Sequence, residues 1–291
     1  MRHVFECPLR RTDLDPGGTV DPAVYADYLQ EARLDLLRHH DTSVSPEPDE
    51  GLVVVRTVID YAAPLRPADA PLYVAAWIVE VRAASFTLGY ELFTRPDPHA
   101  EPVVHARATT VLTPYVFSAE RPRRLSHDER VRLSDGCEPA PVVDGDQRSR
   151  QPWGPGSLTR AVHVRFSDVD LLGHVNNVRY VDYLQDAQAD LAADVSREAG
   201  IDERAALVVT RIEIDYVGQL NLRPEPYDVS CRVEAVGTTS VTFGGEIRDG
   251  DRVMARCRIV TTGAGDDGRP TAIDPVQREL FERRLDPALL S

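Results

Sequence analysis

The feature that most constrains this 291-residue chain is that it is written twice. Shifted by 155 positions, residues 10–36 lie over 165–191 without a gap, and 13 of those 27 positions are identical. The identities include Asp13/Asp168, Asp15/Asp170, Gly18/Gly173, Val20/Val175, Tyr25/Tyr180, Tyr28/Tyr183 and Gln30/Gln185. The same shift pairs Asp60-Tyr61 with Asp215-Tyr216, and Ser85, Thr87, Gly89 and Glu91 with Ser240, Thr242, Gly244 and Glu246. After six extra residues near 93–103 of the first copy, the match resumes with Val104, Ala106 and Arg107 over Val253, Ala255 and Arg256. Such self-similarity means one domain plan folded twice.

The join is visible in composition. Residues 134–158 lose all periodicity and fill with Pro, Gly, Asp and Ser, which is linker chemistry, with Trp153 available to order part of it. The expected domains are therefore 1–133 and 159–291. In each, an apolar stripe marks one helix of about five turns: Tyr25, Tyr28, Leu29, Ala32 and Leu36, then Tyr180, Tyr183, Leu184, Ala187 and Leu191. Asp21 and Asn176 suit its N-cap, and Pro22 suits the first helical position of copy one. Val-, Ile-, Thr- and Tyr-rich runs follow at 52–63, 71–82, 86–94 and 102–113, and again at 207–217, 227–236, 240–248 and 252–262. A short strand, a helix and four more strands predict an α+β domain, an antiparallel sheet wrapped around one long helix. That shape is the hot-dog fold.

Charge and composition remove several functions. Asp and Glu number 47 against 33 basic residues, a net charge of −14 that disfavours nucleic acid as a partner. Every one of the 33 is arginine, so neither a Schiff-base lysine nor a P-loop lysine exists. Cys7, Cys137, Cys231 and Cys257 form no C-x-x-C pair, which removes the usual zinc and thioredoxin motifs and leaves small buried hydrophobes in a reduced compartment. No window is apolar enough to span a bilayer and no leader opens the chain, so a cytoplasmic protein without a membrane partner is expected.

The turn before each helix holds the chemistry. Copy two reads Asp168-Val169-Asp170-Leu171-Leu172-Gly173-His174-Val175-Asn176-Asn177. Carboxylates, an imidazole and amides stand just before a helix N-terminus, where unpaired N–H groups favour a developing oxyanion. Asp and Asn are equally good turn and cap residues, so chemistry alone leaves both readings open.

D-x-D-x-x-G-H-V-N-N-x-x-Y followed by a helix resembles the hot-dog thioesterases, the group containing 4-hydroxybenzoyl-CoA thioesterase and the acyl-ACP thioesterases. Asp13-Leu14-Asp15-Pro16-Gly17-Gly18-Thr19-Val20 looks like a variant of the same motif. The resemblance implies that two such domains pair as a pseudo-dimer and that the substrate is acyl-CoA or acyl-ACP, with no cofactor. It makes the second aspartate, Asp170 or Asp15, the catalytic carboxylate, as nucleophile or as general base for water. It gives carbonyl polarisation to the amide seven residues on, Asn177 in copy two and Pro22 in copy one. His174 then assists the base, and Gly173, Val175, Asn176 and Tyr180 line the substrate. Copy one has Thr19 for the histidine and a proline without an N–H, so copy two is expected to be the working site. Acyl-ACP thioesterases carry an asparagine where Leu172 stands here.

Weaker signals stand beside these. Gly263-Ala264-Gly265-Asp266-Asp267-Gly268 spells a dinucleotide motif, but no helix follows and two aspartates repel a pyrophosphate, so it reads as a loop. His39-His40-Asp41 reads as a helix C-terminus. Arg121, Arg123 and Arg124 could meet CoA phosphates, though a solvated stretch accounts for them as well. A hydratase or dehydratase of the same fold, or a non-catalytic acyl-CoA-binding module, are the rival functions. Homo-oligomerisation stays open.

Overall fold

The computed structural model describes residues 2–39, 49–69, 71–95, 97, 99–141, 158–170, 173–201, 207–265 and 270–285. The chain divides into two units, Met1–Asp144 and Gly145–Ser291. In the first, β1 (His3–Cys7) leads through a turn and a 3-10 segment at Pro22–Val24 into α1 (Tyr25–His39). Then come β2 (Glu50–Tyr61), β3 (Leu72–Val81), β4 (Phe86–Thr94) and β5 (Val103–Val116). The two-residue β6 (Arg121–Pro122) and α2 (His127–Ser134) complete it. The strands hydrogen-bond in the order β1-β3-β4-β5-β2, every pair antiparallel.

The second unit repeats this plan. β7 (Leu158–Val162) and α3 (Asn177–Ala199) precede β8 (Leu207–Tyr216), β9 (Tyr227–Val236), β10 (Ser240–Asp249) and β11 (Arg252–Ala264). β12 (Pro270–Thr271) and α4 (Pro275–Arg283) follow, and the strand order β7-β9-β10-β11-β8 matches that of the first unit. Register confirms the equivalence: His3 lies opposite Ala76 and Leu158 opposite Cys231, each pair offset by the same 155 residues.

Alternation explains the cores. Leu72, Val74 and Ala76 of β3, and Phe86, Leu88, Tyr90 and Leu92 of β4, point to one face and are wholly buried. There they meet the α1 stripe of Tyr25, Tyr28, Leu29, Ala32 and Leu36 in one cluster. In unit two, α3 lies against β8, β9, β10 and β11 in the same way. Burial of each such Leu or Phe contributes about 1.5–3 kcal/mol.

Three expectations need amendment. Each unit has a second, short helix beyond the one expected. α2 packs on β3, and α4 on α3 and β9. Ser126 caps α2 by accepting from Glu129 N while the Glu129 side chain returns to Ser126 N, and Asp274 caps α4. Those S-x-x-E and D-P signals are present in the sequence. Next, the start of the supposed linker lies on unit one: Glu138 N donates to Ile78 O (3.0 Å), and Trp77 Nε1 to Pro139 O (3.1 Å). A Cβ at Gly89 would come within 2.9 Å of Pro141, so the glycine makes room for this segment. Trp153 lies outside the described residues. Finally, Cys7 and Cys231 are buried as expected, but Cys137 is exposed. Burial pushes the Cys7 thiol up to about 12.

Gly263 and Ala264 belong to β11, paired with β12, so the glycine-rich run opens as strand; residues 266–269 lie outside the described ones. Arg123 is committed within the chain, to Glu50 (2.7 Å) and through both terminal nitrogens to Glu129 (2.8 and 2.9 Å). It is not available to a phosphate, whereas Arg121 and Arg124 are exposed.

Candidate active site

The two aspartates of each D-x-D have different work. The first is a brace. Asp13 and Asp168 are each 9% exposed, and in each a carboxylate oxygen accepts the N–H of the residue three earlier, Arg10 or Arg165, at 2.8 Å. The same oxygen accepts a helix tyrosine hydroxyl, Tyr28 at 2.8 Å or Tyr183 at 2.7 Å. A charge-assisted pair therefore fastens the turn to the helix in both units. Burial and the neighbouring carboxylate hold both tyrosine hydroxyls protonated well above their ordinary range.

The second aspartate opens a five-residue turn. Asp15 N donates to Thr19 O (2.8 Å) and Gly18 N to Asp15 O (3.0 Å). In copy two Asp170 N donates to His174 O (2.9 Å) and Gly173 N to Asp170 O (3.1 Å). Both turns need a left-handed residue, supplied by Gly18 at φ +79° and Gly173 at φ +81°. Bridges Leu14–Val20 and Val169–Val175 close them. Val20 N and Val175 N then tie each turn to the loop after the first long strand, β2 or β8, at Leu65 O (2.8 Å) and Leu220 O (2.9 Å).

Directly after the turn the helix begins. Asn176 is the N-cap, its side chain accepting from Val178 N (3.4 Å) and its own N–H going to Asp168 O (2.8 Å). Asn177 is therefore the first helical residue, and its N–H has no carbonyl one turn back to bind. In copy one Asp21 caps Ala23 N (2.9 Å), and the first helical position is Pro22, opening as 3-10 rather than α. Pro22 and Asn177 thus occupy one position, with an N–H at one and none at the other.

A second asymmetry was not legible from the motif. Both carboxylate oxygens of Asp15 are taken by Thr19, whose N–H donates to Oδ1 (3.0 Å) and whose hydroxyl donates to Oδ2 (2.7 Å). Copy two has His174 at that position and no such hydroxyl. Asp170 and His174 are both half-buried, and each also has an interaction partner within the fold.

Among the residues expected to line substrate, the structure brings Gly173, Val175 and Asn176 to the turn and helix start, but it occupies most of them internally. Val175 is 5% exposed. Tyr180 is 4% exposed, and its hydroxyl donates to Gly218 O (3.1 Å) while accepting from Leu220 N (2.7 Å). It braces the loop under the turn, so its hydroxyl is not offered to a ligand. Sequence reading missed Phe166, which precedes Asp168 in the same short helical segment and is 85% exposed. The repeat itself held the signal, since an aromatic stands where copy one has Arg11. Leu171 and Leu172 lie outside the described residues.

Comparison with known proteins places this geometry in a family. The model of the thioesterase-like superfamily matches residues 9–135 and 164–281, one stretch in each unit. The chloroplastic acyl-acyl carrier protein thioesterase ATL2 of Arabidopsis thaliana is 27% identical over 128 residues, 42% of this chain and 63% of that protein. The chain therefore spans less than two thirds of that relative's length. Among solved structures, one described as an oleoyl thioesterase from Lactobacillus plantarum aligns with a TM-score of 0.74, at 15% identity, covering 91% of this chain and 98% of the other. The 12:0-ACP thioesterase of Umbellularia californica aligns at 0.70 and 15% identity, covering 93% and 97%. Those two share the double hot-dog fold over nearly their whole length. With the family model covering both copies of the motif and the sheets behind them, this chain belongs to the thioesterase-like superfamily.

Proposed function

We propose that the chain hydrolyses acyl thioesters to a carboxylic acid and a thiol, and that the turn and helix start of copy two form the working site. The contrast between two copies of one turn carries this reading. Where Pro22 has no N–H, copy two has the Asn177 N–H at the start of α3, and where Thr19 follows Asp15 an imidazole, His174, follows Asp170.

Asp170 begins the reaction, either taking a proton from water that attacks the acyl carbon or attacking that carbon itself to give an anhydride that water then opens. In both routes the carbonyl oxygen gains a negative charge, which the Asn177 N–H and the N-terminal end of α3 stabilise. A thiolate is a good leaving group, with a conjugate-acid pKa of about 8.5, so no strong general acid is required. His174, in the same turn, supports the base. The 85% exposed Phe166 supplies an apolar rim beside the turn for the arm that carries the thioester.

The carrier is acyl-ACP or acyl-CoA, and the Arabidopsis relative's name favours the carrier protein. Thiol release, followed with Ellman's reagent over acyl lengths on both carriers, tests the proposal. An enzyme-only blank is needed because Cys137 is exposed. Release from at least one acyl series is expected. If all are bound and left intact, the chain is an acyl-binding module and hydrolysis is the wrong reading.

A further inference from the structure

Far along α1 from the catalytic turn, three metal-ligating side chains of unit one converge. His3 projects from the first residue of β1; Asp35 and His39 stand one turn apart at the end of α1. One ligand atom from each lies within 4.8 Å of the other two. His3 Nε2 is 2.6 Å from Asp35 Oδ2, and His39 Nδ1 is 3.3 Å from Asp35 Oδ1, with the imidazole centroids 5.3 Å apart. Asp35 thus sits between two imidazoles on its two oxygens. We propose that His3, Asp35 and His39 form a binding site for a divalent transition-metal ion of the zinc class, one that clasps the N-terminal strand to the end of α1.

The repeat provides an internal control, because copy two builds the same junction without imidazoles. Leu158 occupies the position of His3, in matching register on its sheet, and Asp194 that of His39. Only the aspartate is shared, and there Asp190 is bonded to Arg160 (2.8 Å). The fold therefore does not require histidines at this place. In β1 the inward positions alternate as His3, Phe5 and Cys7, so an imidazole stands where the pattern and the second copy call for an apolar side chain.

The surroundings suit a cation. Two imidazoles and a carboxylate are a donor set for zinc, cobalt or nickel, not for the oxygen-seeking calcium or magnesium. The last carbonyls of α1 lie at the same end and favour positive charge. His3 and Asp35 side chains are 14% and 25% exposed, which limits competing water, while His39 at 63% leaves an entry route. Binding requires the His39 ring to release its bond to Asp35 O (2.9 Å) and turn Nδ1 toward the carboxylate, and the 2.6 Å contact of His3 Nε2 with Asp35 Oδ2 to open to the spacing of two ligands on one tetrahedral ion. Water completes a four-coordinate shell, as in open zinc sites.

The test uses the full chain after treatment with chelator, titrated with zinc chloride and, in parallel, cobalt chloride. Zinc should bind one ion per chain and raise the melting temperature by a few degrees in a saturable manner. Cobalt should give visible d–d absorption without thiolate charge transfer. His39→Gln changes an exposed residue and leaves the fold intact; with His3→Gln it should weaken binding by at least the 10–100-fold that even outer-shell partners are worth. A His163→Gln control should bind as the parent does. Absence of binding in the parent would overturn the proposal. So would equal binding in both variants, or a thiolate-to-cobalt band pointing to Cys137. None of these readouts depends on thioester turnover.

Discussion

The chain itself shows that proline is accepted at the first position of the site helix, since Pro22 stands there in copy one. Asn177→Pro should therefore fold, while removing the N–H assigned to the oxyanion together with the side-chain amide. Steady-state kinetics should show kcat reduced on the order of 10²–10³-fold, with the melting temperature nearly unchanged. A variant with full turnover would mean that another donor meets the carbonyl. The braces should behave in the opposite way. Tyr183→Phe removes a hydroxyl from the buried Asp168 carboxylate and should cost about 1.5–3 kcal/mol in urea denaturation, with kcat of the surviving folded enzyme changed far less. The motif did not distinguish these roles by letter alone, because both aspartates precede the same helix. What separates them is the start of α3, which carries Tyr183 back over Asp168 from fifteen residues further along the chain, a contact that spacing permits and only packing decides.

At the level of elements, α2 is held by an ion pair as well as by its buried Leu133. Glu129 receives two bonds from Arg123 and one from Ser126 N, which hold its carboxyl at about 2, below the usual 4.5, with the Arg123 bonds the largest cause. Because the folded value is lowered, this contribution to stability is complete above pH 4.5 and is lost as pH falls from 4.5 toward 2. Urea midpoints measured between pH 6 and pH 3 should fall more steeply for the parent than for Glu129→Gln, and the variant should be less stable at pH 6 by about 2–3 kcal/mol. Parallel curves would show that the clasp adds nothing. Long elements were readable in advance: the strand runs expected at 86–94, 227–236 and 240–248 fall within a residue of β4, β9 and β10. Alternation and β-branched residues make such runs self-evident. The short α2 and α4 escaped because each has too few turns to set up a stripe, and their signature lies in capping residues instead.

For the whole molecule, duplication is the main fact, and it picks out the turn proposed as the site. The shared turn was legible because it survives in both copies with its glycine, aspartates and valine. The difference between copies was half legible. Pro22 announces a missing N–H to anyone reading the sequence, but the closure of Thr19 on both oxygens of Asp15 depends on a rotamer that no spacing rule supplies. Similarly, nothing in the pattern of His3, Asp35 and His39 joins residues 32 positions apart until β1 is laid along α1. The central claim, that one of two equivalent turns does the chemistry, is tested most directly by comparing Asp170→Asn with Asp15→Asn in the full chain. Both changes are nearly isosteric, and circular dichroism can verify folding. Initial rates of thiol release should fall on the order of 10²–10⁴-fold for Asp170→Asn while Asp15→Asn retains most of the parent rate. Equal losses at the two positions, or a greater loss at Asp15, would contradict the account.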